Sequence, residues 1–183
     1  MGKAAKLKAT KEVPVLKLDF GCGKNIRAGF EGVDVRDFGQ KHKVDLTKKW
    51  PWKDSSVDEA HASHFIEHLT GPERIHFINE LYRVLKPLGK CQIITPHWAS
   101  CRAYGDLTHQ WPPVSEFWFY YLSKEWRAGN APHNDGYVCD FEATWGYSLH
   151  QGIISRNQEY QTHALTFWKE AAQDLIANLV KKA

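Results

Sequence analysis

Short apolar runs closed by turns dominate the first hundred residues, with one long periodic segment among them. Val15 and Leu16, then Leu18 after the interrupting Lys17, lead through Asp19-Phe20 into Gly21-Cys22-Gly23. An apolar run closed by glycines predicts a buried strand feeding a sharp turn. Phe30 to Val35 predicts a second strand with Asp34 near its tip, and His42 to Leu46 a third. After Trp50-Pro51-Trp52 and the turn formers Lys53-Asp54-Ser55-Ser56, Val57 to Ile66 predicts a fourth strand running into a loop. Gly71-Pro72-Glu73 opens a helix, with proline and an acid in the first turn where both are favoured. Ile75, Phe77-Ile78, Leu81-Tyr82 and Val84-Leu85 then recur at helical spacing until Lys86-Pro87-Leu88-Gly89, and Lys90 to Thr95 predicts a fifth strand stopped by Pro96. Strands joined through a crossover helix imply a mostly parallel α/β sheet.

The second half is less regular. Patterning fades over residues 97–136, where a helix is expected from about Pro113 to Trp126 and loop elsewhere. Tyr137 to Tyr147, with Phe141, Ala143, Trp145 and Tyr147 alternating, predicts a sixth strand. Glu159 to Lys182 reads as one long helix, with Leu165, Trp168, Ala172, Leu175 and Leu179 on a stripe. That leaves no room for a seventh strand.

Composition sets the boundaries of this picture. At 183 residues, 43% hydrophobic and 25% charged, the chain fits one domain with a single core, expected over 13–183. Much of the net charge of +3 lies in Lys3, Lys6, Lys8 and Lys11, so residues 1–12 are expected to be a disordered basic arm. No signal peptide and no run long enough to span a membrane is visible. Four widely spaced cysteines (Cys22, Cys91, Cys101, Cys139) then read as reduced thiols of a cytoplasmic protein.

The candidate chemistry gathers at the strand ends. Glycines at 21 and 23 let backbone approach a ligand closely, and Asp34 at the neighbouring strand tip is placed to accept hydrogen bonds from ribose hydroxyls. The stretch reads as half of a nucleoside-cofactor site, yet Ile26 stands where a dinucleotide fingerprint needs its third glycine, and Gly23-Lys24-Asn25 fits no phosphate-binding P-loop. The Asp19-to-Gly23 unit with a later strand-end acid resembles class I S-adenosylmethionine-dependent methyltransferases, particularly small members with a short first connection. The run WPWKDSSVDEAHASHFIEHL, the Leu85-Lys86-Pro87 segment and the Gly105-to-His109 stretch are similar to the same family.

This resemblance implies a Rossmann-like, mostly parallel sheet sandwiched by helices, here with a reduced or altered last strand. It implies S-adenosylmethionine as cofactor, with S-adenosylhomocysteine as product. Asp19, Gly21 and Gly23 would hold the amino-acid part, Asp34 the ribose, and Asp45 and Leu46 the adenine, with Ser63 and His64 on the methionine side. Residues 97–136 would form a substrate lid. His97 and His109 are the candidate bases and Asp106 an orienting partner. A small acceptor fits this reading better than a nucleic acid: the Asp/Asn/Ser-Pro-Pro-aromatic motif of base-amine methylation is missing after the fourth strand, and Trp111-Pro112-Pro113-Val114 only echoes it. No metal site is expected. Two alternatives stand beside the enzyme: a catalytically silent cofactor-binding protein, and a zinc hydrolase, since His64-Phe65-Ile66-Glu67-His68 spells H-x-x-E-H. The latter needs His64 and His68 on one helix, whereas the preceding residues are strand-like.

Overall fold

The computed structural model describes residues 15–183; the basic arm at 1–12 lies outside the described residues. Seven strands form one sheet: β1 (Lys17–Phe20), β2 (Glu31–Asp34), β3 (His42–Lys43), β4 (Val57–Ser63), β5 (Leu85–Pro96), β6 (Phe141–Leu149) and β7 (Ala172–Lys181). Their order is β3-β2-β1-β4-β5-β7-β6. The first five run parallel, and β7 is antiparallel to both of its neighbours. The sheet therefore reverses direction only at β7.

Alternation on the strands builds the core. Leu18 and Phe20 of β1, Val33 of β2, Ala60 and Ala62 of β4, Ile93 of β5 and Leu175, Ala177 and Leu179 of β7 are all buried in one cluster. Helix α1 (Gly71–Val84) brings Phe77, Ile78 and Leu81 onto it, all fully buried at helical spacing. The Phe20 ring lies 4.5 Å from Trp50 and 5.7 Å from Phe77, fixing β1 against α1. Glu73 accepts a hydrogen bond from the Thr70 backbone at 2.8 Å, which closes the helix start.

Among the described residues no helix joins β1 to β2, β2 to β3 or β3 to β4. The short connection of residues 21–30 instead turns back across the sheet face away from α1. The Arg27 backbone donates to Asp19 at 2.8 Å and its guanidinium to Gln92 of β5 at 2.8 Å.

Two expectations are corrected. The long terminal helix over Glu159–Lys182 is instead a shorter helix, Gln158–Phe167, followed by β7, so the seventh strand is present. Ala172, Leu175 and Leu179 fall at spacings of three and four, which suit a helix, but Leu175, Ala177 and Leu179 also alternate, and pairing with β5 and β6 decides for the strand. The helix expected over 113–126 is two short ones, Glu116–Tyr120 and Lys124–Asn130. They are separated where Ser123 caps the second by accepting from the Trp126 backbone.

One buried cation ties these parts together. Arg74 of α1 donates to the carbonyls of Ile66, Glu67, Gln110 and Pro112, and it is only 5% exposed. Burial lowers its pKa, and the four carbonyls are the acceptors that take the place of the lost water. Arg74→Met should destabilise the fold by about 3 kcal/mol, because four carbonyls lose their donor, those of Ile66 and Glu67 in buried contacts. Equilibrium urea unfolding measures this, and a change under about 1 kcal/mol would contradict it.

Candidate functional site

The carboxyl edge of β1, β2 and β4 carries a cavity of about 210 Å³, lined by Gly21, Asp34, Asp45 and Leu46 together with Val35, Val44, Thr47, Phe65 and Leu69. Each wall follows from local sequence. Gly21 leaves β1 at φ +65, its amide donating to the Val33 carbonyl at 2.8 Å, a conformation that costs glycine little. A Cβ on Gly21 would lie 2.2 to 2.7 Å from atoms of Phe65, so only glycine lets that ring close the cavity. Asp34, 8% exposed at the tip of β2, accepts from the Gly23 amide at 3.0 Å and the Arg36 amide at 2.9 Å. Its carboxylate is thereby held still at the cavity wall. Asp45 accepts from the Thr47 hydroxyl at 2.6 Å and amide at 2.9 Å, and these bonds hold its pKa below the usual carboxylate value. Burial, then the charges of Asp19 and Asp34, push the Cys22 thiol up, so it stays protonated beside the turn.

Residues 33–93 match the family described as methyltransferase domain. Among solved structures, an S-adenosylmethionine-dependent methyltransferase from Archaeoglobus fulgidus superposes with a TM-score of 0.64 at 20% identity, covering 91% of this chain and 86% of its own. The geranyl diphosphate C-methyltransferase of Streptomyces coelicolor, in complex with Mg2+, geranyl diphosphate and S-adenosyl-L-homocysteine, superposes with a TM-score of 0.56 at 13% identity, covering 93% and 71%. The cyclase SpnF does so with 0.54 at 18%, covering 92% and 75%. No curated protein matches the chain in sequence. The chain has the class I methyltransferase fold. The cavity lies at the carboxyl edge of the parallel strands, where open α/β sheets take their ligands.

Within this methyltransferase fold the other expected residues fall into separate groups. Asp19 is 2% exposed and does not line the cavity; His61 lies 2.7 Å from one oxygen and the Arg27 amide donates to the other, which ties the connection 21–30 to β1. Gly23, at φ +52, serves through its bond to Asp34. Ser63 ends β4, and His64 follows it at φ +52, outside any helix. The zinc-hydrolase geometry, with His64 and His68 on one helix, is not formed, since only a short 3-10 turn spans Ile66–His68.

Around His64 stands a polar cluster that the sequence alone does not assemble. Its Nδ1 lies 3.4 Å from Glu67 and its Nε2 4.0 Å from Asp174 of β7, which pairs with Arg102 at 2.8 Å. The Glu67 carboxylate raises the His64 pKa and burial opposes it. Thr95 donates to Glu67 at 3.2 Å, yet one oxygen each of Glu67 and Asp174 is buried without a hydrogen bond. Asp174 is out of reach from sequence because its segment reads as helix; the alternation from Asp174 to Leu179 is the signal that could have placed it.

The three candidate catalytic residues are not brought together. His97 is 2% exposed, its Nε2 2.9 Å from Glu116 and its Nδ1 accepting from the Ala99 amide at 3.3 Å. Asp106 and His109 lie instead beside His68, with His109 Nε2 4.0 Å from an Asp106 carboxylate oxygen, and line another cavity of about 190 Å³.

Burial opposes ionisation of Glu116, but the hydrogen bond and charge of His97 outweigh it and bring the carboxyl down to about 2. A carboxylate with a depressed folded pKa stabilises the fold above its ordinary pKa near 4.5, and the stabilisation is lost as pH falls from there toward 2. Stability over that window should fall by up to about 3 kcal/mol more in the wild type than in Glu116→Gln. Thermal melts at stepped pH check this, and parallel curves would contradict it.

Proposed function

We propose that the protein is an S-adenosylmethionine-dependent methyltransferase acting on a small acceptor. The observation that carries this reading is the cavity itself: an anchored Asp34 carboxylate, a Cβ-free wall at Gly21, and the apolar Leu46 and Phe65 beside Asp45 suit a ribose and an adenine. Bound there, S-adenosylmethionine supplies a methyl group already activated on sulfur and leaves as S-adenosylhomocysteine. The chain's own part is binding and alignment. Asp34 accepts from the ribose hydroxyls, Asp45 and Leu46 meet the adenine, Asp19 and Gly23 hold the turn in place, and Ser63 and His64 border the methionine side.

The acceptor side is assigned to the 97–136 lid, where Asp106 and His109 line the 190 Å³ cavity. His109 donates Nδ1–H to the Ala103 carbonyl at 3.2 Å, which leaves Nε2 a lone pair able to take a proton from the acceptor. His97, paired with Glu116, is a positioning residue in this scheme. A small acceptor accords with these modest cavities and with a net charge of only +3. Among the described residues no helix is long and apolar enough to cross a membrane.

The test is a panel of small amines, phenols, thiols and carboxylates incubated with methyl-labelled S-adenosylmethionine. Labelled product and stoichiometric S-adenosylhomocysteine are expected for one class, with kcat falling at least roughly tenfold in His109→Ala. Cofactor bound without transfer to any class would favour the silent binding protein instead.

A further inference from the structure

Glu67, His68 and His109 each offer one ligand atom, and these atoms lie within 4.8 Å of one another. We infer that they form a binding site for a divalent transition metal of the zinc and cobalt type, at the edge of the lid cavity. Two imidazoles and one carboxylate are the donor set such ions take, with further positions left open.

The tautomers point the same way. The Thr108 hydroxyl has one proton, and it goes to the Asp106 carboxylate at 2.7 Å, because a carboxylate can only accept. The contact of 2.9 Å between that hydroxyl and His68 Nδ1 is therefore donated by His68. The Ala103 carbonyl likewise fixes the proton of His109 on Nδ1. Both Nε2 atoms are left with free lone pairs, the arrangement in which outer partners hold metal-binding histidines. Glu67 is 4% exposed; Thr95 donates to one of its oxygens, and the other, buried without a hydrogen bond, faces His64 Nδ1 at 3.4 Å and keeps lone pairs for a cation.

The loops are tied as a pair. Gln110 donates its amide to the Glu67 carbonyl at 2.8 Å, and Arg74 binds the carbonyls on both sides. An ion at the centre of three atoms within 4.8 Å of one another stands at most about 2.8 Å from each, so ligation near 2.1 Å needs sub-ångström side-chain shifts. This differs from the H-x-x-E-H reading: His64 is left out and His109, from the lid, takes its place. With the ion bound, His109 Nε2 is a ligand and no longer a base, and the metal would instead hold an acceptor oxygen or nitrogen and favour loss of its proton. That role rests on the methyltransferase reading, whereas metal binding does not.

The experiment is titration of untagged, metal-free, cofactor-free full-length protein with Co2+, followed by visible absorbance, with Zn2+ as competitor. One site per chain is expected, displaced by Zn2+, weakened at least roughly hundredfold in His68→Ala and His109→Ala, and unchanged in the exposed-residue control His163→Ala. Thr108→Ala, which touches no ligand atom, should weaken binding by roughly 10- to 100-fold while the melting curve stays that of a folded protein. No saturable site, or equal binding in wild type, His68→Ala and His109→Ala, would overturn the inference. S-adenosylmethionine binding measured on the same metal-free samples tells a failure of the metal site from a failure of the methyltransferase reading.

Discussion

Gly21→Ala is expected to cost about 2–4 kcal/mol of stability and to weaken cofactor binding at the cavity beside Asp34 at least tenfold. Two effects add at this position. The backbone sits at φ +65, where an L side chain is strained by about 1 kcal/mol. The new methyl would also stand 2.2 to 2.7 Å from Phe65, including its rigid Cβ, so Phe65 must move, and Phe65 lines the cavity. Gly23→Ala separates the two effects: its φ is +52, but nothing lies within 4 Å of the place its methyl would take, so only the strain of about 1 kcal/mol applies. Thermal melts of the two variants should differ by several degrees, with Gly21→Ala the lower. Equal melting temperatures would mean that Phe65 does not pack on Gly21.

Asp34→Ala should lose about 3 kcal/mol of cofactor binding, roughly a hundredfold in Kd. The carboxylate is the charged acceptor on the cavity wall nearest the glycine turn, and the amides of Gly23 and Arg36 hold it in place. The isosteric Asp34→Asn should rescue little. Both oxygens already accept from backbone amides, so an NH2 at either place would face an N–H donor. Calorimetry of the two variants checks this, and wild-type affinity in Asp34→Asn would show that the charge is dispensable.

The first half of the fold is legible because its signals are local. Glycines 21 and 23, the strand-end Asp34 and the Pro72 helix start each fix one element through their own backbone chemistry, and all are where the sequence puts them. β7 is not legible, because Asp174-Leu-Ile-Ala-Asn-Leu satisfies helical and strand spacing alike, and only the partners β5 and β6 choose between them. The same ambiguity hides half of the site's polar cluster, since Asp174 reaches His64 and Arg102 only from the start of that strand. His68 and His109 illustrate another limit: two motifs far apart in sequence meet through Arg74, whose role is invisible in a helix read for its apolar face.

Calorimetric titration of the wild-type protein with S-adenosylmethionine and with S-adenosylhomocysteine, with Asp34→Ala alongside, tests the central claim most directly. The account predicts one site per chain for both ligands, with affinity collapsing in Asp34→Ala while its melting curve remains cooperative. No binding of either ligand to a folded wild-type sample would contradict it.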